Sequence, residues 1–480
     1  MTVTSDVHVT DAPMEADPEE GGPRAPGRTV AGEPLRRFVW VTLGFLAFAA
    51  ALVLLAVARA PQLSPVDEPS HADYAYQISH GSIPAKGGLY TAEIRYEWSC
   101  HGLGDAPNTH CTADRSFAAG LQNYTFGDPP LYYLTTGLVA RALVLLTSHD
   151  HAFITLGRCV GVAWLSGAML VLYLALRRFR VRWQIAAAAG VLLPLCPGVL
   201  AASSTMTSDA PAALAGAAAL FVLARITVEH RTGWVLPAVV AVLSTATKVL
   251  SGMPMLAVAG VAAFMAVAAW RRADRRGAYR LAGVSGAILV GFGLVYFVWA
   301  RFQAGRGMVD WVNPNKNNSL PLTGSKAGDL LSNLFGMFQH LTNNYYLAPP
   351  INGESLSIWA TLLGVVLAAA PLLVMAVSRA RSWGWSLGVA TFVGITAIAL
   401  AVEYQVYAEN HGFFAMAAAR YAISFLPWAI ACLAVVAARR RLMKSSLVFV
   451  GVGAAVLILA EAGLFTLGPA LVGTPSVLIG

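Results

Sequence analysis

The chain has 480 residues, of which 57% are hydrophobic and only 12% charged, with a formal net charge of +8. A soluble domain carries about 25% charged residues, so this chain holds more apolar surface than its own core can hide and needs lipid as solvent. The positive charge excludes nucleic acid as a partner by its distribution: it falls in short clusters between apolar runs, with no basic stripe interleaved with aromatics.

Residues 1–35 are polar, acidic and rich in Gly and Pro, which predicts a disordered tail. The tail is too long and acidic for a signal peptide. Arg36 and Arg37 then open an apolar run to about Ala58, close to the roughly 20 residues a spanning helix needs, and place the tail in the cytoplasm. The polar stretch that follows is therefore outside. Counting Leu131–Leu146 as a span would leave Arg177, Arg178, Arg180 and Arg182 outside, against the positive-inside rule. That stretch, interrupted by Arg141, is read instead as a helix lying at the outer interface.

The second span is then 152–176, and the rest are about 183–200, 208–226, 233–248, 251–270, 281–300, 355–378, 384–402, 420–437 and 446–467. This expectation of about eleven transmembrane helices, all-α, puts the other basic clusters inside as well (Arg271 to Arg280, and Arg439 to Lys444). The transmembrane domain covers 36–467, with large outer loops at 59–151 and 301–354 and a short outer tail at 468–480. A smaller outer loop covers 403–419. Within 301–354, a turn-rich NPNKNNSLPLTGS precedes DLLSNLFGMFQHL, whose helical apolar period predicts a second interfacial helix.

Cys159, Cys196 and Cys432 lie in apolar runs and read as small buried hydrophobes. Cys100 and Cys111 share the first outer loop, where a disulfide is expected ahead of a zinc site with His101 and His110, since adjacent Cys-His ligands strain the geometry. The tripeptides at Asn123 and Asn317 match the glycosylation pattern.

Chemistry concentrates on the outer side. Pro65 to Tyr76 reads PVDEPSHADYAY. Pro69 suits the start of a helix, which puts Asp67 and Glu68 at its positive end with His71 in the next turn. Plain capping is the competing reading, but two carboxylates and a His against the membrane face favour function. In FGDPPLYY, Tyr132 and Tyr133 suit an interfacial helix, and Asp128 is either its cap or a site residue. Arg158, Asp209, Lys248, Arg420 and Tyr421 sit at the outer ends of spans, where ionisable groups face a cavity, a partner or headgroups. Asp67 and Glu68 are also candidate ligands of a divalent ion.

PVDEPSHADYAYQIS, GDPPLYYL, LGRCVGVAWL, SSTMTSDAPAALAGA, STATKVLSGMPML and AARYAISFLP occur in that order between Arg36 and Pro427. This ordered set resembles the bacterial polytopic family called domain of unknown function 2142, which is similar to the GT-C glycosyltransferases. The resemblance implies a polyprenyl-phosphate sugar donor and an envelope glycan or lipid acceptor outside a bacterial plasma membrane. It implies an acidic catalytic residue at Asp67 or Glu68, a juxtamembrane helix at Pro129–Tyr133 and an Arg opening the second span at Arg158. Asp67 is expected to act as general base, with Glu68 orienting it or holding a metal. Arg158, Lys248 and Arg420 are expected to bind the lipid phosphate, and Tyr132 and Tyr133 to line the lipid or sugar groove. A transporter or flippase of lipid-linked sugars and a non-catalytic envelope component are the alternatives. The lack of an internal repeat and the polar groups at the outer face weigh against transport.

Overall fold

The computed structural model describes residues 29–30, 33–64, 67–102, 111–112, 122–149, 151–308, 311, 319–321, 326–339, 341, 357–414 and 419–461. Asn317 and the outer tail at 468–480 lie outside them. So does most of the N-terminal tail, but its last part is built. β1 (Thr29–Val30) pairs with β2 (Glu33–Pro34). Glu33 is buried there, ion-paired to Arg37 and Arg177. The acidic end of the tail is thus the counter-ion of the arginines, which is why it is ordered where a polar, Gly- and Pro-rich composition predicts disorder.

The chain then runs through α1 (Leu35–Arg59), α2 (Glu68–Ser79), α3 (Ala92–His101), α4 (Leu131–Thr147) and α5 (Phe153–Cys159). Next come α6 (Gly161–Arg178), α7 (Trp183–Leu192), α8 (Pro197–Ser204), α9 (Ala212–Thr227) and α10 (Val235–Thr247). A 3-10 turn at Val249–Gly252 leads into α11 (Met253–Arg271) and α12 (Arg275–Ala304). β3 (Ser319–Pro321), α13 (Lys326–Gln339), α14 (Ser357–Ala376), α15 (Trp383–Asn410) and β4 (Gly412–Phe414) follow, β3 pairing antiparallel with β4. A 3-10 segment, Ala419–Phe425, opens α16 (Leu426–Arg439), and α17 (Met443–Glu461) ends the described chain.

Six stretches are long and apolar enough to cross a membrane, and a seventh is the pair α7–α8, bent by 65° at its break. The protein is a multi-pass membrane protein. Among the described residues these are seven of the eleven expected positions. The positions expected at 208–226 and 233–248 fall on shorter apolar helices, α9 and α10. α9 has 16 residues and so rises about 24 Å, short of the roughly 30 Å of a bilayer core. The lipid-facing side is evident on α12, where Leu289, Val290, Leu294, Phe297 and Val298 are exposed. Such a stripe has no aqueous rationale and fits contact with acyl chains. α16 is the opposite case, largely buried at the centre.

α6 packs along α9, and α9 along the segment that opens α16. The closest approach is at Gly216, where an added Cβ would stand 1.8 Å from the carbonyl oxygen of Ser424. Trp428 Nε1 donates to the Gly216 carbonyl at 2.9 Å, fixing the same contact. The segment between α1 and α6 has its own small core of Leu63, Tyr74, Ile94, Trp98, Tyr133 and Phe153. α4 lies against α2 in this layer, and its Arg141 donates to the Ser79 carbonyl. The arginine inside this apolar helix is therefore spent on holding the layer together.

The two ends of the bundle differ in charge. One end holds Arg37, Arg177, Arg178 and Arg439, with Glu33 and Glu229 as counter-ions. α6 runs from this end, at Arg178, back to Arg158 near its other end. α9 likewise runs from Asp209 to Arg225, and α16 from Arg420 to Arg439. The carboxylate-rich site is at the end opposite the arginines.

Candidate functional site

The floor of the site is built on the first turn of α2. Glu68 is fully buried. Its Oε1 accepts from Arg158 Nε at 2.7 Å and from the Met206 N–H at 2.9 Å. Its Oε2 accepts from Arg158 Nη2 at 2.7 Å and from the Ser64 N–H at 2.6 Å. Arg158 also donates to the carbonyls of Ala60 at 2.7 Å and Gln62 at 2.8 Å. This bidentate pair ties together the end of α1, α2, α5 and the loop after α8. Glu68 and Arg158 are expected from sequence to serve catalysis and phosphate binding. In the fold each is the other's partner, because a charge this deep survives only when paired and hydrogen-bonded.

Above this floor lies a second pair. Asp67 precedes α2 in the left-handed region, φ 63°, and its side chain does not cap the helix. Asp tolerates that backbone better than most residues. Asp67 Oδ2 accepts from Arg420 Nη2 at 2.6 Å and Oδ1 accepts from the Tyr124 hydroxyl at 2.9 Å. Burial alone would raise this carboxyl; the charge of Arg420 and the two hydrogen bonds outweigh it and hold it at about 2.

Beside it, Lys248 Nζ donates to Asp209 Oδ1 at 2.6 Å. Burial raises Asp209 too, and the neighbouring cations, Lys248 first and Arg420 next, bring it below the usual carboxylate range. The Tyr421 ring faces both cations, with Lys248 Nζ 5.6 Å and Arg420 Cζ 5.2 Å from its centroid. Three polar atoms here have no partner among the described residues: Nε and Nη1 of Arg420, and Oδ2 of Asp209.

The third component is a hydrogen-bond chain. Ser208 Oγ and the Tyr133 hydroxyl donate to Asp128 Oδ2 at 2.9 and 2.8 Å, and His71 Nδ1 lies 2.7 Å from the Tyr133 hydroxyl. Tyr133 has one proton and gives it to Asp128, so its oxygen accepts from His71 Nδ1–H. This assignment leaves His71 Nε2 as the lone-pair nitrogen. Burial lowers the His71 pKa, against the pull of Asp128 and Asp67, and favours the neutral ring. Tyr74 stacks on Tyr133, centroids 3.8 Å apart.

The sequence therefore names most of what the fold gathers: Asp67, His71, Asp128, Tyr133, Asp209, Lys248, Arg420 and Tyr421 form one array. Tyr132 and Tyr133, both expected to line a groove, are both buried, at 1% and 0% exposed, and Tyr132 packs edge-on against Tyr133 and near Trp164.

Other residues that shape the site are not named from the sequence, although Asp73 and Ser208 lie inside segments that it singles out. Asp73 accepts from the Thr91 N–H at 2.7 Å, Thr91 Oγ1 at 3.0 Å, Gln77 at 2.7 Å and Asn123 Nδ2 at 2.8 Å. Asn123 is fully buried in that network and also donates to the Ser70 carbonyl. Its tripeptide is not a glycan acceptor in the folded protein. Ser208 and Tyr124 act on Asp128 and Asp67 directly, and only their place in or beside flagged segments could have singled them out.

Glu97 accepts from the Phe153 and Ile154 N–H groups, both at 2.9 Å, capping the N-terminus of α5. Burial pushes its carboxyl up to about 7 despite these bonds. Cys100 and Cys111 are joined by a disulfide. Among the described residues, no three His, Cys, Asp or Glu side chains stand close enough to hold a metal ion together. Asp67 and Glu68 each face an arginine.

No family model matches this chain, and no curated protein is significantly similar to it.

Proposed function

We propose that the protein is a membrane glycosyltransferase of the GT-C kind, moving a sugar from a polyprenyl-phosphate donor to an envelope glycan or lipid acceptor. The reaction is proposed for the outer face of a bacterial plasma membrane, with the N-terminus cytoplasmic and the C-terminus outside. One observation carries this reading: two cations, each with a carboxylate on it, and a tyrosine-anchored histidine come together at the end of the bundle opposite the arginine cluster.

That combination suits transfer from a phosphate-linked sugar. Arg420 and Lys248 complement the phosphate, Arg as a planar fork and Lys as a point charge. The acceptor hydroxyl oxygen bonds to the anomeric carbon as the bond from that carbon to the phosphate oxygen breaks. The hydroxyl proton passes to Asp67, and the polyprenyl phosphate departs with its charge on Arg420 and Lys248. Attack opposite the leaving group inverts the anomeric centre. Glu68 and Arg158 hold α2 in place and touch neither substrate.

A flippase for the same lipid-linked sugar is the second reading, favoured by the 65° break between α7 and α8, since broken helices are a transporter feature. The deciding measurement is sugar transfer by the purified protein, offered polyprenyl-phosphate sugars and lipid or glycan acceptors with and without divalent ions. Native protein is expected to transfer, and Asp67→Asn to fall by about a hundredfold or more. Undiminished transfer by the variant removes Asp67 from the base role. Flipping in liposomes without transfer would replace the enzyme reading with the transporter one.

A further inference from the structure

Arg158 is buried and Arg420 part-buried, 12% exposed on its side chain, and both are paired to a carboxylate, but only Arg158 has every nitrogen engaged. Arg420 gives its Nη2 to Asp67, with Tyr421 as a distant second acceptor, and leaves Nε and Nη1 buried without an acceptor among the described residues. Unmet donors in a protein interior are costly and are uncommon in native folds. Nearby, the 97%-buried side chain of Asp209 (3% exposed) keeps Oδ2 equally unmet. Two unused donors on one fork, with Lys248 across the Tyr421 ring, describe a place for an anion with several acceptor oxygens.

Asp67 is placed to leave. Its side chain makes no cap hydrogen bond to α2, whose second residue, Pro69, has no N–H to offer it. It is 20% exposed on its side chain, whereas Glu68 is 0% exposed. Asp67 thus has room to move towards the site and Glu68 has none.

We propose that the Asp67–Arg420 pair is a latch: a phosphate group binding the free nitrogens of Arg420 and Lys248 takes Arg420 from Asp67 and releases that carboxylate into the site. This rests on the glycosyltransferase reading for the identity of the phosphate, as part of the donor. Its chemical consequence is an order of events. While paired, Asp67 is held as a weak base by Arg420 and Tyr124. Once phosphate charge neutralises Arg420, the attraction that keeps the carboxylate unprotonated weakens and its basicity rises. The base is switched on by the donor and stays silent without it.

The test is binding, read separately from transfer. Full-length protein in detergent is titrated calorimetrically with farnesyl phosphate and, in a second arm, with inorganic phosphate. If Asp67 competes with phosphate for Arg420, Asp67→Asn binds about tenfold more tightly than native protein, and Arg420→Gln loses binding. Tyr124→Phe, which removes one hydrogen bond from Asp67, gives a smaller gain of about threefold and serves as the second variant should Asp67→Asn be misfolded. A gain seen with both probes assigns the site to the phosphate group itself. A gain confined to farnesyl phosphate assigns it to the lipid headgroup. Equal or weaker binding by Asp67→Asn and Tyr124→Phe overturns the latch. Loss of transfer in Asp67→Asn without a gain in binding keeps the base and discards the latch, so the two failures remain distinct.

Discussion

Glu68 meets Arg158 at 2.7 Å and Asp67 meets Arg420 at 2.6 Å, and these two ion pairs, one residue apart on the chain, differ in everything around them. The Glu68 pair is closed: both oxygens and all three guanidinium nitrogens are bonded, four chain segments converge on it, and neither side chain reaches solvent. The Asp67 pair is open: part of the carboxylate is accessible and two guanidinium nitrogens wait for acceptors. A buried pair with complete hydrogen bonding is suited to fixing a fold, and an incomplete one to exchange. Breaking a pair by removing one partner is what tells them apart.

The largest expected effect is on the closed pair. Glu68→Ala strands Arg158 in the interior and is expected to cost about 3–5 kcal/mol. The check is thermal unfolding in detergent, together with the yield of monodisperse protein. Asp67→Asn in the same assay is expected to melt close to native protein, because Asn tolerates the left-handed backbone and the site is part-open. A Glu68→Ala protein of native stability would erase the distinction between the two pairs.

An intermediate effect concerns the Glu97 cap on α5. Glu97 carries a folded-state pKa raised to about 7 from an ordinary 4.5. A raised pKa means that the folded loop binds the extra proton. The stabilisation is therefore complete below about pH 4.5 and is lost as pH rises through about 7. Amide exchange at Phe153 and Ile154 is expected to accelerate over that interval, and Glu97→Gln to flatten the profile. Unchanged pH dependence in Glu97→Gln would reassign it to another group.

The smallest effect belongs to the hydrogen-bond chain. Tyr133→Phe removes the bonds to Asp128 and His71 but keeps the stack on Tyr74, for a loss of about 1 kcal/mol. Calorimetric melting measures it, and a transfer defect well beyond that of the stability loss would show that the orientation of His71 matters to the reaction.

How far this was legible in the sequence follows from separation and direction. The arginine clusters and apolar runs placed the helices, and the same charge argument set Leu131–Leu146 apart from the spans, where a helix of its own, Leu131–Thr147, packs on α2. Charged residues at helix ends named most members of the array. Their partnerships were not readable: Asp67 and Arg420 are 353 residues apart, and nothing local records that they meet. The pairing of Glu68 with Arg158 was hidden for a different reason. Adjacent residues entering a helix point about 100° apart, so two neighbouring carboxylates that look like one motif face a floor and a mouth. Asn123 carries a glycosylation tripeptide, and its burial could only come from the fold of α2 against its loop. The span count runs ahead of the described helices where they are short, as α9 is with its 16 residues, since hydropathy registers apolarity more readily than length.

The contact at Gly216 has a consequence for how such a site can change. α9 follows Asp209 directly, and the segment pressed against Gly216 carries Arg420 four residues before Ser424. The spacing between the two halves of the charge array is therefore set by the absence of one methyl group. Alanine at that position would alter no ionisable residue and remove no hydrogen-bonding side chain, yet it would wedge α9 from its neighbour. A survey of variants restricted to charged positions would pass over the residue that holds those charges in register.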